Sequence, residues 1–165
     1  MIILILFAFI AIILIINPSL LGGIVGGIPN AVSQWQSLAD KYALISVLDA
    51  NEILAIIWTE STGNPNSFNP GDPSIGLMGV TNLIGMTYGG IQTFDDLYDP
   101  DTNIRAGSGY LAELKSKYGR TFPLGSATGG WVQMYNLGET KFLKGERVPD
   151  YETKFQTHLN TLAGG

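Results

Sequence analysis

The chain has 165 residues, enough for one domain and an appendage. Its formal net charge of −5, with no cluster of Lys or Arg, argues against a nucleic-acid partner. With no Cys and a single His, disulfides and thiolate metal sites are excluded. A His-based metal centre or a Ser/His/Asp triad is hard to build, so no metal or cofactor is expected and carboxylate chemistry remains.

The first segment, Ile2 to Ile16, is uninterrupted apolar sequence. At roughly 22 Å as a helix it is slightly short of a bilayer core, but extended through Leu21 it reaches about 20 residues and can span. Residues 1–28 are therefore read as a single N-terminal transmembrane helix followed by a flexible stalk, with Gly22-Gly23, Gly26-Gly27 and Ile28-Pro29 in the stalk. A cleaved signal peptide is the competing reading. It is disfavoured because no Lys or Arg precedes Lys41 and no Ala-x-Ala site is present. The same lack of basic flanks leaves orientation undetermined.

Residues 29–37 read as a linker and helix start, and 38–163 as a compact, mainly α domain. Ser33 is a good N-cap for a helix from about 34 to 47, with Trp35, Leu38, Tyr42 and Ile45 at helical spacing. Asp49 with Glu52 three residues later reads as a capping box opening the next helix, and Gly63 is a natural residue for its end. Residues 63–75, rich in Asn, Pro and Gly, read as a loop, with a small β element nearby. Further helices are predicted over 80–88, over 94–98 as a short turn, and from an Asp101 or Thr102 cap to about Tyr118. The last two are predicted over 126–137 and 150–162.

Glu60 ends the strongly apolar run Ile53-Leu54-Ala55-Ile56-Ile57-Trp58-Thr59-Glu60. A carboxyl group there is drawn out of water and lies at the negative end of the helix dipole. Both effects disfavour its charged form and raise its pKa. A carboxyl protonated near neutral pH is what glycosidic bond cleavage needs as a general acid.

Around Glu60 the chain resembles the soluble lytic transglycosylases, which share the goose-type lysozyme fold. Glu60-Ser61, Asn64-Pro65 and Ser74-Ile75-Gly76-Leu77-Met78 resemble the first two motifs. Asp99-Pro100 with Asn103-Ile104-Arg105-Ala106-Gly107 and Tyr110-Leu111 resembles the third. Tyr135-Asn136 with Gly138 resembles the fourth, and Pro149 with Glu152-Thr153 and Phe155 the closing segment. The order and approximate spacing hold over about residues 38 to 160.

The resemblance implies an α+β lysozyme-like fold and a peptidoglycan lytic transglycosylase acting on glycan strands. Glu60 is implied as the single acid/base, which protonates the oxygen between N-acetylmuramic acid and N-acetylglucosamine and then deprotonates the muramic acid C6 hydroxyl. The product is a 1,6-anhydro sugar, and substrate N-acetyl assistance takes the place of the second carboxylate of ordinary glycosidases. Ser61, Gly76, Met78, Tyr135 and Asn136 are the implied substrate-binding residues, with Asn136 also readable as a helix C-cap and Trp58 as a core residue. His158 is expected to be exposed and without catalytic weight.

Two features depart from or extend the pattern. Gly79 stands where the family carries Gln, which puts glycan affinity in doubt. Asp72 lies in the loop where goose-type lysozymes carry an Asp that positions water; the residue reads either as an auxiliary to hydrolysis or as a turn residue in Pro70-Gly71-Asp72-Pro73. The alternatives to a transglycosylase are a hydrolytic muramidase of the same fold, and a structural virion or secretion-channel protein with weakened glycan binding. Expected partners are peptidoglycan, the lipid bilayer through the N-terminal helix, and virion or envelope-complex proteins. The expected location is a virion membrane or a bacterial inner membrane facing the cell wall, with small size and the altered Gln motif favouring a phage.

Overall fold

The computed structural model describes residues 24–25 and 27–164. The expected transmembrane helix and most of the stalk lie outside them, and among the described residues no helix is long and apolar enough to cross a membrane. Within the segment read as a stalk, β1 (Ile24–Val25) pairs antiparallel with β2 (Ile28–Pro29).

The helix expected over 34–47 is two shorter ones, α1 (Asn30–Ser33) and α2 (Gln36–Ala43). Ser33 closes α1 and caps nothing. Ala39 and Tyr42 of α2 are buried, but the helix stops before Ile45, which stands 77% exposed. The next helix, α3 (Ala50–Ser61), begins as predicted. The Glu52 N–H donates to Asp49 Oδ1 and the Asp49 N–H donates to Glu52 Oε2, both at 3.0 Å. Lys115 Nζ reaches the same Glu52 oxygen at 2.6 Å and neutralises it. Ile53, Leu54, Ala55, Ile56 and Ile57 are fully buried, so α3 is enclosed on several faces and is the axis of the domain. It packs against α8 (Pro149–Gly164), α2 and α1. Each large aliphatic side chain buried there contributes about 1.5–3 kcal/mol. Thr62 (φ 53) is the C-cap of α3, and Gly63 follows it at φ 86 as the residue just past the helix end, as predicted.

After α3 the loop is not wholly irregular. It contributes β3 (Phe68–Asn69) and β4 (Ser74–Ile75), which join β5 (Val80–Thr81) in an antiparallel sheet of order β3-β4-β5. Phe68 pairs with Ile75, and Ile75 with Val80. The predicted helix over 80–88 thus begins as a strand; α4 (Asn82–Ile84) follows and runs into a single π turn, Gly85–Gly89. The turn at 94–98 is a 3-10 helix capped by Thr93. Next comes α5 (Pro100–Tyr118), whose cap is Asp99 and not Asp101 or Thr102: the Asp99 carboxylate accepts the Thr102 N–H at 2.9 Å, and Pro100 fits the first helical turn.

Only the last part of the expected 126–137 helix forms, as α6 (Gln133–Leu137). The reason is Glu152 of α8. Its buried carboxylate accepts the Gly125 N–H at 2.6 Å, the Gly130 N–H at 2.7 Å and the Gln133 amide at 2.6 Å. The Gly130 N–H, which would enter a helical bond, is spent on this carboxylate, and Gly129 beside it sits at φ 87, outside the helical region; the hydrogen bonds outweigh the desolvation of Glu152 and lower its pKa. A short helix not expected from the sequence, α7 (Glu139–Leu143), places Phe142 in the core.

Asn103 of α5 ties the sheet to the helices. Fully buried, it donates to Ile75 O and Leu97 O at 2.8 Å each, and its Oδ1 accepts the Met78 N–H at 2.9 Å. Replacement by Ala leaves three buried backbone groups without partners. Asn103→Ala should therefore lower the unfolding free energy by about 3 kcal/mol or more in denaturant titration at pH 7. A loss below about 1 kcal/mol would mean that Asn103 is not the clamp described.

Candidate active site

Glu60 occupies the last turn of α3 and is partly buried at the edge of a cleft. The Tyr151 hydroxyl, on α8, donates to Glu60 Oε1 at 2.5 Å. Burial pushes the Glu60 carboxyl up from 4.5 to about 7, against the opposing pull of the Tyr151 hydrogen bond. Tyr151 and Tyr135 are themselves buried next to this carboxyl, and desolvation raises both phenols well above their ordinary value. They stay neutral donors over the whole range in which Glu60 titrates.

The segment Gly76-Leu77-Met78 forms the wall behind Glu60 and is held from three sides. Asn103 takes the Met78 N–H. The Tyr135 hydroxyl donates to Met78 O at 2.9 Å. Ser61 Oγ lies 2.8 Å from Leu77 O and 3.0 Å from Ile57 O, and accepts the Gly63 N–H at 3.1 Å. Gly76 sits at φ 80, and a Cβ there would lie 2.2 Å from the Asn103 amide nitrogen and 2.7 Å from Leu97 O.

These contacts show where three of the expected substrate-binding residues lie. Ser61 is buried and its hydroxyl is committed to backbone. The open side of Gly76 faces Asn103 and not a ligand, and Met78 is fully buried. None of the three lines the cleft. They belong to the buried, hydrogen-bonded segment next to the end of α3. The Tyr135 hydroxyl bonds Met78 O. The hydroxyl on Glu60 belongs to Tyr151.

The cleft itself measures about 410 Å3. Glu60, Asp72, Tyr135 and Asn136 all line it, so these four predicted residues are brought together. Asn136 lies inside α6, whose C-cap is Gly138, which removes the C-cap alternative and leaves its side chain on the cleft. Asp72 is exposed in the loop between β3 and β4, consistent with both of its readings. Tyr88 and Tyr110 also line the cleft and were not singled out as binding residues. Tyr88, Tyr110 and Tyr135 form a ladder with ring centroids 6.0 and 5.5 Å apart. Such rings offer apolar faces and polar edges suited to a pyranose chain.

Away from the cleft, Trp58 stacks on His158 with ring centroids 4.3 Å apart and planes 2° from parallel. His158 Nδ1 is 3.0 Å from Thr59 Oγ1, which itself donates to Ala55 O at 2.7 Å, so the ring nitrogen carries the hydrogen. His158 is thus half-buried and paired, contrary to the expected exposed residue, and burial lowers its pKa.

The sign of the Glu60 shift makes a stability prediction. A raised folded-state pKa contributes fully below about 4.5, and the contribution is lost as pH rises through about 7. Above that, the folded chain holds a partly buried charge. Glu60→Gln should therefore stabilise the protein at pH 8 by on the order of 2 kcal/mol, a gain that vanishes near pH 4. Denaturant unfolding of both proteins at the two pH values checks this, and equal stability at pH 8 would contradict the buried charge.

The chain matches the family model described as Transglycosylase SLT domain over residues 37–156. It is 30% identical over 121 residues to membrane-bound lytic murein transglycosylase F of Yersinia pseudotuberculosis, covering 73% of this chain and 24% of that protein. It is 26% identical over 135 residues to a transglycosylase of Enterobacteria phage PRD1, covering 82% of this chain and 46% of that one. The chain thus spans less than half the length of these relatives. The 70 kDa soluble lytic transglycosylase SLT70 of Escherichia coli has a similar fold, with a TM-score of 0.58 at 20% identity over 76% of this chain and 21% of that one. The helical domain with its small sheet therefore has the fold of SLT70, and the chain belongs to the SLT transglycosylase domain family.

Proposed function

We propose that the protein is a peptidoglycan lytic transglycosylase with Glu60 as its single acid/base. The observation that carries this reading is the partly buried Glu60 carboxyl, raised to about 7 and held through one oxygen by Tyr151, at the edge of a tyrosine-lined cleft. Near neutral pH a large fraction of this group is protonated and able to act as an acid. The protonated carboxyl gives its proton to the glycosidic oxygen as the bond from that oxygen to muramic acid C1 breaks. The carboxylate then takes the proton of the C6 hydroxyl, whose oxygen bonds to C1. One group is acid and then base, the proton count balances, and no water is consumed. The product is a 1,6-anhydromuramic acid end.

Asn136 and the tyrosine ladder are the proposed glycan contacts, and the wall of Ser61, Gly76 and Met78 keeps the carboxyl aimed at them. One relative is a membrane-bound lytic murein transglycosylase and another comes from a phage, and these support two further parts of the reading. The apolar N-terminus tethers the enzyme to a membrane, and the enzyme opens the wall locally during phage penetration or envelope remodelling.

A hydrolytic second reading draws on one observation, that Asp72 lines the same cleft as Glu60. Digestion of purified sacculi by the full chain in detergent, with products resolved by mass spectrometry, separates the two. Anhydro ends that disappear with Glu60→Gln and persist with Asp72→Asn are expected. Reducing ends lost with Asp72→Asn would favour hydrolysis, and no release from the folded full chain would reject the enzyme. Turnover should also fall as pH rises through about 7, because the acid form of Glu60 is then depleted. A rate that stays flat from pH 5 to 9 would contradict Glu60 as the acid.

A further inference from the structure

The two oxygens of the Glu60 carboxyl have different surroundings. Oε1 takes the Tyr151 hydroxyl, whereas among the described residues none donates to Oε2. Beside Oε2 is the position that a side chain at Gly79 would take. A Cβ built on Gly79 would lie 2.7 Å from Oε2, 3.3 Å from the carboxyl carbon and 3.5 Å from Glu60 Cβ. The first distance is far inside van der Waals contact, so the carboxyl occupies the space that a side chain at position 79 would fill. The carboxyl is the end of a flexible side chain that also lines the cleft, so a Cβ at 79 displaces it towards that open space. Tyr151 is buried on one side, and the Met78 wall, fixed by Asn103 and Tyr135, stands on another. A side chain at 79 can be accommodated only by turning the carboxyl out of its place, which stretches or breaks the 2.5 Å bond to Tyr151.

We propose that Gly79 is a positioning residue: its bare Cα keeps open the space in which the Glu60 carboxyl lies while bonded to Tyr151, and leaves Oε2 as the oxygen that meets the substrate. This rests on Glu60 being the acid/base proposed above. It reverses the first meaning drawn from Gly79. A missing side chain there is not merely a lost glycan contact but part of how the acid is aimed. It also differs from a purely backbone role. Gly79 lies at φ 57, a conformation that Asn tolerates better than other side-chain-bearing residues, so Asn relieves the strain while still bringing a Cβ.

The test compares the full chain in detergent with Gly79→Ala, Gly79→Asn and Gly79→Gln, each alone, and with Gly79→Ala in a Tyr151→Phe background. Melting temperature establishes which variants are folded, and Ala, the smallest, serves if the larger ones are not. The expected result is a fall in kcat of about tenfold or more in every folded variant, with KM changed less than about twofold. The Gly79→Ala loss should be smaller in the Tyr151→Phe background, because the bond it disturbs is already gone. A Gly79→Gln enzyme with lower KM and undiminished kcat, or a Gly79→Asn enzyme with the parent kcat, would overturn the proposal. Crystal structures of the parent and Gly79→Ala chains give a readout that does not need activity. Displacement of the Glu60 carboxyl from Tyr151 is expected, and an unmoved carboxyl would overturn the assignment. If the parent chain releases nothing from sacculi, the enzyme reading fails, while the crystal comparison still decides what Gly79 does to Glu60.

Discussion

Burying a carboxyl group at the end of an apolar helix costs free energy, and much of the domain is arranged around holding that group in place. Five consecutive residues of α3, from Ile53 to Ile57, lie in the core, so the helix that carries Glu60 cannot rotate to return the carboxyl to water without exposing aliphatic side chains. Tyr151 donates one hydrogen bond to the charged form and recovers part of the loss. The balance leaves a group that changes protonation near neutrality, which a surface Glu does not do. Such a shift, at the edge of a cleft and with a structural cause, supports the proposed role of Glu60 as the acid.

The wall of Gly76, Leu77 and Met78 turns this balance into a fixed geometry. Ser61 joins it to the end of α3, Asn103 joins it to α5, and Tyr135 joins it to α6. Three elements separated along the chain therefore meet in one short segment, and each uses a polar side chain satisfied by backbone. Buried polar groups used in this way specify a single arrangement, because any slip leaves them without partners. The cleft adjoins this segment, lined by the half-buried Tyr88 and Tyr110, the buried Tyr135 and the exposed Asn136. The motif residues thus divide between those buried beside Glu60 and those that line the cleft.

Local interactions were legible from the amino-acid order. The Asp49–Glu52 capping box is a three-residue relation, and it starts α3 where expected. The environment of Glu60 follows from the apolar run immediately before it. The contacts that complete the site span long distances in sequence. Tyr151 reaches Glu60 across 91 residues and Asn103 reaches Met78 across 25, with no periodicity to connect them. Motif position alone placed Ser61, Gly76 and Met78 near the acid but not on which side of the wall they face. The aromatic spacing of residues 126–137 suggested a helix, and nothing local revealed that Glu152 would take the N–H group of Gly130 instead.

The account depends on the protonation state of one side chain. Selective 13C labelling of glutamate in the full chain, with the Glu60 carboxyl assigned by comparison with Glu60→Gln, measures it directly. A titration midpoint close to 7 is the predicted result. A midpoint near the ordinary 4.5 would show that the carboxyl is solvated, and that Glu60 cannot serve as the acid in the manner described.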